Sequence, residues 1–151
     1  VLLHVLATFA TIRQGLVMVQ SEVADRLVAL PGSKIYGVPS VKLAWYCSAR
    51  RVGSVPPAVF WPVPNVDSGL VALQRREQPA TTASRQQVFA LVDAAFAQRR
   101  KMLRSALAGV YGSSGRASDA LQTAGIDPTA RGEVLSVTDF ARLAQVDPAP
   151  R

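Results

Sequence analysis

The hydrophobic pattern of this chain changes its period once, and that change limits what the chain can fold into. Up to Glu77, short apolar runs bounded by turn residues alternate with stretches of helical spacing; beyond Ser84 every signal is helical. Between the two, Gln78 to Ser84 holds Pro79 followed by Ala, Thr and Ser residues, which breaks both periods and reads as a linker. Residues 1–77 are therefore expected to form one domain and residues 78–151 another. A chain of 151 residues with 49% apolar content can bury two small cores.

In the first part, Leu2, Leu3 and Leu6 stand at helical spacing with no capping residue ahead of them, and the chain begins without Met. This reads as a helix entered midway, with an amino-terminal part missing. Gly15 to Gln20 is a continuous apolar run, the mark of a strand buried on both faces. Ser21 is expected to cap a helix with Glu22 and Asp25 in its first turn, an apolar stripe of Val23, Leu27 and Leu30, and Pro31-Gly32 at its end. Strand followed by helix suggests the second half of a parallel α/β sheet. Helix is favoured over strand for Ser40 to Ala49, because Val41, Ala44, Trp45 and Ser48 share a face. Arg50 to Val55 and Gly69 to Arg75 would then be two antiparallel strands closing the sheet.

In the second part, Ser84 can cap a helix running to about Val110, with Phe89, Val92, Phe96, Leu103 and Leu107 on one arc. Gly112 to Gly115 breaks it, and Ala117 to Ala124 forms a short helix stopped by Gly125. Asp127-Pro128 places a cap and a first-turn proline. Ser136 and Asp139 make a capping-box-like start for a last helix, buried through Phe140 and Leu143. The tail from Val146 is expected to fray.

Net charge is +7, a balance that favours polyanionic partners such as nucleic acid. A single cysteine, Cys47, allows no internal disulfide and fits a reducing compartment, so a cytoplasmic location is expected. No apolar run approaches the roughly 18 residues of a membrane span, and the opening residues do not read as a signal peptide. No Cys/His cluster suggests a metal, and no serine has a nucleophile-elbow context. His4 reads as a packing residue and Cys47, beside Trp45 and Tyr46, as a buried thiol. A monomer is expected.

Two stretches carry candidate binding chemistry. In Phe60-Trp-Pro-Val-Pro-Asn-Val-Asp-Ser68, two aromatics precede two prolines set two apart. Each proline fixes its own φ and biases the residue before it toward extended geometry, so the loop is stiff and Phe60 can be presented to a planar ligand. Capping a core edge is the commoner fate of such rings. Asp67 and Ser68 are expected to fix the turn by side-chain to backbone hydrogen bonds. Arg99-Arg100-Lys101 with Arg104 would place cations on two sides of one helix, where they can touch successive phosphates; a solvated helix face explains them equally well. Arg50 and Arg51, with Arg75 and Arg76, could extend that basic track, and Lys34 and Tyr36 in the Gly32 loop could also meet RNA.

Phe60-x-Pro62-x-Pro64-x-Val66-Asp67-Ser68 after Val55-Pro56-Pro57 resembles the substrate loop of the ribosomal RNA adenine dimethyltransferases. Glu22 to Leu27 and Pro31-Gly32-Ser33-Lys34-x-Tyr36-Gly37-x-x-Ser40-Val41 resemble the segment upstream of that loop. Ala95 to Arg104, Gly125-Ile126-Asp127-Pro128 and Leu135-Ser136-Val137-x-x-Phe140 resemble the helical tail of the small-subunit (16S) branch. Three blocks in family order are a specific signal.

The resemblance implies the carboxyl-terminal part of a Rossmann-like, S-adenosylmethionine-dependent methyltransferase domain, α/β in class with a parallel strand and a closing antiparallel hairpin, then a small all-α RNA-binding domain. It implies methyl transfer to N6 of two adjacent adenines of 16S ribosomal RNA in the small subunit, with the target adenine drawn out of its stack. Phe60 would stack on it, and Pro62 and Pro64 would shape its pocket. The family's cofactor loop and its Asn-Leu-Pro-Tyr-type motif lie ahead of the segment seen here, so no catalytic residue is assigned to this chain and it is expected to be inactive alone. Two other readings stand beside this one: the erythromycin-resistance branch acting on 23S RNA, and a non-enzymatic RNA-binding or ribosome-assembly module.

Overall fold

The structure, a computed structural model, describes residues 1–146. It divides into two compact units, Val1–Leu30 with Ile35–Gln78, and Pro31–Lys34 with the chain from Pro79 onward. Apart from Val146 itself, the tail expected to fray lies outside the described residues.

The first unit runs α1 (Leu2–Thr8), β1 (Gln14–Gln20), α2 (Ser21–Val28), α3 (Val38–Tyr46), β2 (Cys47–Val55) and β3 (Ser68–Arg75). The strands form one sheet in the order β1-β3-β2, and both pairings are antiparallel. Val71 of β3 lies between Val17 and Arg51, and β2 is irregular between Arg51 and Gly53. Arg50 to Val55 and Gly69 to Arg75 thus pair as the sequence suggests. β1 differs from expectation. Its burial alternates, with Leu16 63% and Met18 49% exposed, because α2 packs on one face of the sheet and no described element covers the other. A run that is apolar throughout carries no alternation of its own, so the packing partners decide which face is buried.

Two local details hold this unit together. A Cβ on Gly69 would lie 2.6 Å from the Ala24 Cβ, so the glycine is what allows α2 to approach β3 this closely. Ser40, buried at the start of α3, donates to the Arg26 carbonyl (2.5 Å) and accepts from the Gly37 amide (3.2 Å), tying the end of α2 to α3. Ser21 is the first residue of α2 rather than its cap, since Gln20 occupies that position without a side-chain bond. The helix expected over Ser40 to Ala49 ends at Tyr46, and Cys47 already belongs to β2.

The second unit is helical: α4 (Arg85–Ala97), α5 (Leu103–Ala106), α6 (Ala108–Tyr111), α7 (Ser114–Thr123) and α8 (Val137–Ala144). The caps read from sequence are present. The Gln87 amide donates to Ser84 Oγ (3.1 Å) and the Ser84 amide to Gln87 Oε1 (2.8 Å); Ser136 and Asp139 exchange the same pair of bonds at 3.0 and 3.2 Å. Leu103, Leu107, Leu121, Phe140 and Leu143 are fully buried, and the Phe96 and Phe140 rings meet at 6.2 Å.

The helix expected to reach Val110 stops at Ala97. The amides of Leu103 and Arg104 donate to the carbonyls of Ala130 (2.7 Å) and Pro128 (3.1 Å), acceptors that a continuous helix would not use. Asp127-Pro128 starts no helix either. Asp127 Oδ1 accepts from the Thr129 amide (2.9 Å) and hydroxyl (2.7 Å), which closes a turn and holds its carboxyl below the usual carboxylate range.

Candidate nucleic-acid interface

Val55 pairs with Ser68, so the segment between them leaves and re-enters the sheet at one end of the β2/β3 hairpin. Its first turn is a short 3-10 helix, Pro57–Val59, closed by the Val59 amide on the Pro56 carbonyl (3.3 Å) and the Phe60 amide on the Pro57 carbonyl (3.1 Å). Phe60 then turns extended at φ −106° and ψ 151°, and the Trp61–Pro62 peptide is cis. At the far end the Ser21 amide donates to the Asp67 carbonyl (2.9 Å), so the bond seen at this turn uses the Asp67 backbone, and Ser68 opens β3. Phe60 is half-buried, whereas everything from Trp61 to Asp67, Pro62 and Pro64 included, is exposed.

The basic residues sort by what their guanidinium groups already hold. Arg99 Nη2 donates to the Lys34 carbonyl (2.6 Å), the Ser33 carbonyl (3.3 Å) and Glu133 Oε2 (3.3 Å), and its guanidinium lies 5.7 Å from the Phe96 ring centroid. It pins the Pro31–Lys34 loop within the second unit, as does the Gly32 amide on the Glu133 carbonyl (2.7 Å). Arg51 is likewise occupied, by Asp25 Oδ1 (2.7 Å), Ser54 Oγ (2.9 Å) and the Ser21 carbonyl (3.4 Å). Arg75 closes the end of α1, donating to the carbonyls of Leu6 (2.8 Å), Phe9 (3.1 Å) and Ile12. Arg76 holds the Ala44 carbonyl in the last turn of α3.

The guanidinium groups of these four side chains are thus engaged within the fold. Tyr36, expected to meet RNA, is only 3% exposed and presents no free ring face.

Arg100, Lys101, Arg104 and Lys34 remain exposed, as does Arg50 on β2, and among the described residues no hydrogen bond or ion pair engages their side chains. Arg100 and Lys101 lie in the turn after α4 and Arg104 on α5, so these cations occupy a helix-to-helix turn instead of two sides of one helix. The turn, closed by the Lys101 amide on the Gln98 carbonyl (2.9 Å), borders an open depression of about 390 Å³ lined from Phe96 to Lys101.

No group of three or more His, Cys, Asp or Glu residues able to hold a metal occurs among the described residues, and no described helix is long and apolar enough to cross a membrane. Burial pushes the Cys47 thiol up; Arg76 and Arg75, which strand pairing brings beside it, act in the opposite direction. With so little thiolate near neutral pH, Cys47 should react slowly with iodoacetamide in the folded chain and rapidly in denaturant. Equal rates in the two states would contradict this burial.

The residues present do not form a cradle for S-adenosylmethionine. Gly32, Gly112 and Gly125 have positive φ, but each follows a helix. Among the described residues, neither the junction of β1 with α2 nor the connection from β3 to α4 holds a glycine.

These features define an α/β unit carrying a solvent-facing aromatic and proline loop, joined in sequence to a helical unit with exposed cations. The family model for ribosomal RNA adenine dimethylase matches residues 2–146, and the chain belongs to that family. The protein named ribosomal RNA small subunit methyltransferase A of Kineococcus radiotolerans is 71% identical over 95% of this chain and 48% of its own length. The protein of that name from Streptomyces coelicolor is 64% identical over 96% of this chain and 51% of its own length. The chain thus spans about half the length of the curated relatives it matches.

Among solved structures, a dimethyladenosine transferase from Plasmodium falciparum shares the fold. Its TM-score is 0.78 at 20% identity, covering 94% of this chain and 60% of that one. The 23S rRNA methyltransferase ErmE superposes with a TM-score of 0.58 at 25% identity, covering 89% and 54%.

Proposed function

We propose that this chain is the target-recognition and RNA-binding portion of a 16S ribosomal RNA adenine dimethyltransferase. The whole protein would use S-adenosylmethionine to methylate N6 of two adjacent adenines near the 3′ end of the small-subunit RNA during ribosome biogenesis, acting in the cytoplasm as a monomer. The observation that carries this reading is the 71% identity, over 95% of the chain, to a protein named for the small ribosomal subunit. The weaker likeness to ErmE favours the small-subunit branch over the 23S branch.

In this reading residues 1–77 are the end of the methyltransferase domain and residues 78–151 form the RNA-binding domain. The target adenine leaves its stack and lies on the ring of Phe60, with Pro62 and Pro64 keeping the loop open around it. The loop from Pro56 to Val66 has no charged residue, which suits an uncharged base and leaves the phosphates to other groups. Arg100, Lys101, Arg104, Lys34 and Arg50 supply those cations, each phosphate contact releasing counterions.

The cofactor belongs to the half of the relatives that this chain does not match. The chain alone should therefore give no heat on titration with S-adenosylmethionine and no methyl transfer to small ribosomal subunits. Turnover by the chain alone would overturn this division of labour.

A further inference from the structure

Among the described residues, Trp61 is the most exposed aromatic side chain. It is 94% exposed, while the other tryptophan, Trp45, is 2% exposed in the core of the first unit. Full exposure of an indole is costly in water and unusual for a residue held between an extended Phe60 and a proline. Phe60 is half-buried whereas Trp61 stands in solvent, so the two neighbouring rings are held differently by the fold. No charged residue lies between Pro56 and Val66, so the ring offers an apolar face and no phosphate ligand. The chain as a whole carries net charge +7, which draws a polyanion and argues against a cationic or neutral partner.

We propose that Trp61 is a second stacking platform, taking an unpaired nucleobase adjacent in the strand to the one held by Phe60. The proposal rests on the RNA-recognition reading above and deepens it. When one base is drawn out of a strand, its neighbour loses a stacking partner, and an exposed indole one residue from Phe60 replaces it. The loop then grips two consecutive bases and selects single-stranded over paired RNA because paired bases show no free face.

The test uses tryptophan emission of the 151-residue chain, with the Trp61→Phe variant subtracted so that the difference reports Trp61 without disturbing Trp45. Single-stranded oligoadenosine should quench the difference signal and shield it from iodide, and inorganic polyphosphate should do neither. Trp61→Ala should weaken oligoadenosine binding, read by anisotropy of a labelled oligomer, by about 5- to 100-fold with an unchanged salt slope. It should leave polyphosphate binding as it was.

Oligoadenosine that binds without quenching would overturn the role of Trp61 and leave the RNA reading standing. If neither oligoadenosine nor polyphosphate binds, both fail. Quenching by neutral lipid vesicles but not by RNA would assign the ring to a membrane surface and overturn the proposal, and so would an equal loss of polyphosphate binding in Trp61→Ala.

Discussion

In the full-length protein, replacing Phe60 by alanine is expected to lower adenine methylation by about 100-fold, the cost typical of a reacting group left out of position. RNA affinity should fall only about fivefold, the low end of what one stacked base contributes. On the proposed function the two losses differ because the phosphates would be met elsewhere, by side chains such as Lys101 and Arg104, and those contacts would survive the change. What disappears is the surface that holds one base still in the open. The backbone here is fixed by the Pro57 and Asp67 carbonyl bonds rather than by the ring, so Phe60→Ala should leave the loop in place. Phe60→Trp, which keeps a flat apolar face, should recover most of the rate. A variant with normal methylation, or one whose rate falls only as far as its binding, would show that Phe60 merely caps the hairpin end.

The largest effect on stability is expected at Phe140. This ring is fully buried on α8, and it faces Phe96 of α4 at 6.2 Å. Phe140→Ala removes the ring and leaves a cavity lined by side chains that belong to different helices and cannot all close in. The expected cost is about 3–5 kcal/mol. Because the second unit is helical throughout, the loss should appear as a fall in the urea midpoint of the far-ultraviolet circular dichroism signal. A shift equivalent to less than about 1 kcal/mol, the size of an ordinary surface change, would mean that α4 and α8 do not share the core described here.

The elements that sequence marks locally were legible. Ser84 caps α4 and Ser136 with Asp139 closes its capping box where the spacing placed them; the reciprocal bond from the Ser84 amide to Gln87 is an addition of the structure. The hairpin that carries the Phe60 loop forms between residues 50–55 and 69–75, the two runs expected to pair. What sequence did not mark are bonds made at long range. The break after Ala97 lies inside an unbroken apolar arc and is set by carbonyls at Ala130 and Pro128, about a third of the second unit away along the chain.

The arginines teach the same lesson. Arg75, Arg76, Arg51 and Arg99 look like phosphate ligands in sequence, yet most of their acceptors are backbone carbonyls, which every residue carries and no residue name reveals. A signal was nevertheless available for three of them. Arg75 is in phase with Val71 and Leu73 on the covered face of β3. Arg51 is in phase with Ala49 on β2. Arg99 follows Ala95 and Val92 by helical spacing. A cation that falls in step with a core stripe is placed to bond inward. Arg100, Lys101 and Arg104 fall out of that step and stay exposed. The burial of Tyr36 was not legible because its loop residues carry no period at all.

The most direct test of the account is the binding of the 151-residue chain to small ribosomal subunits as salt is raised, compared with its Arg104→Ala variant. The account predicts association at low salt that weakens linearly in log affinity against log salt, with the variant's slope shallower by about 1. No association at low salt, or an affinity indifferent to salt, would contradict it.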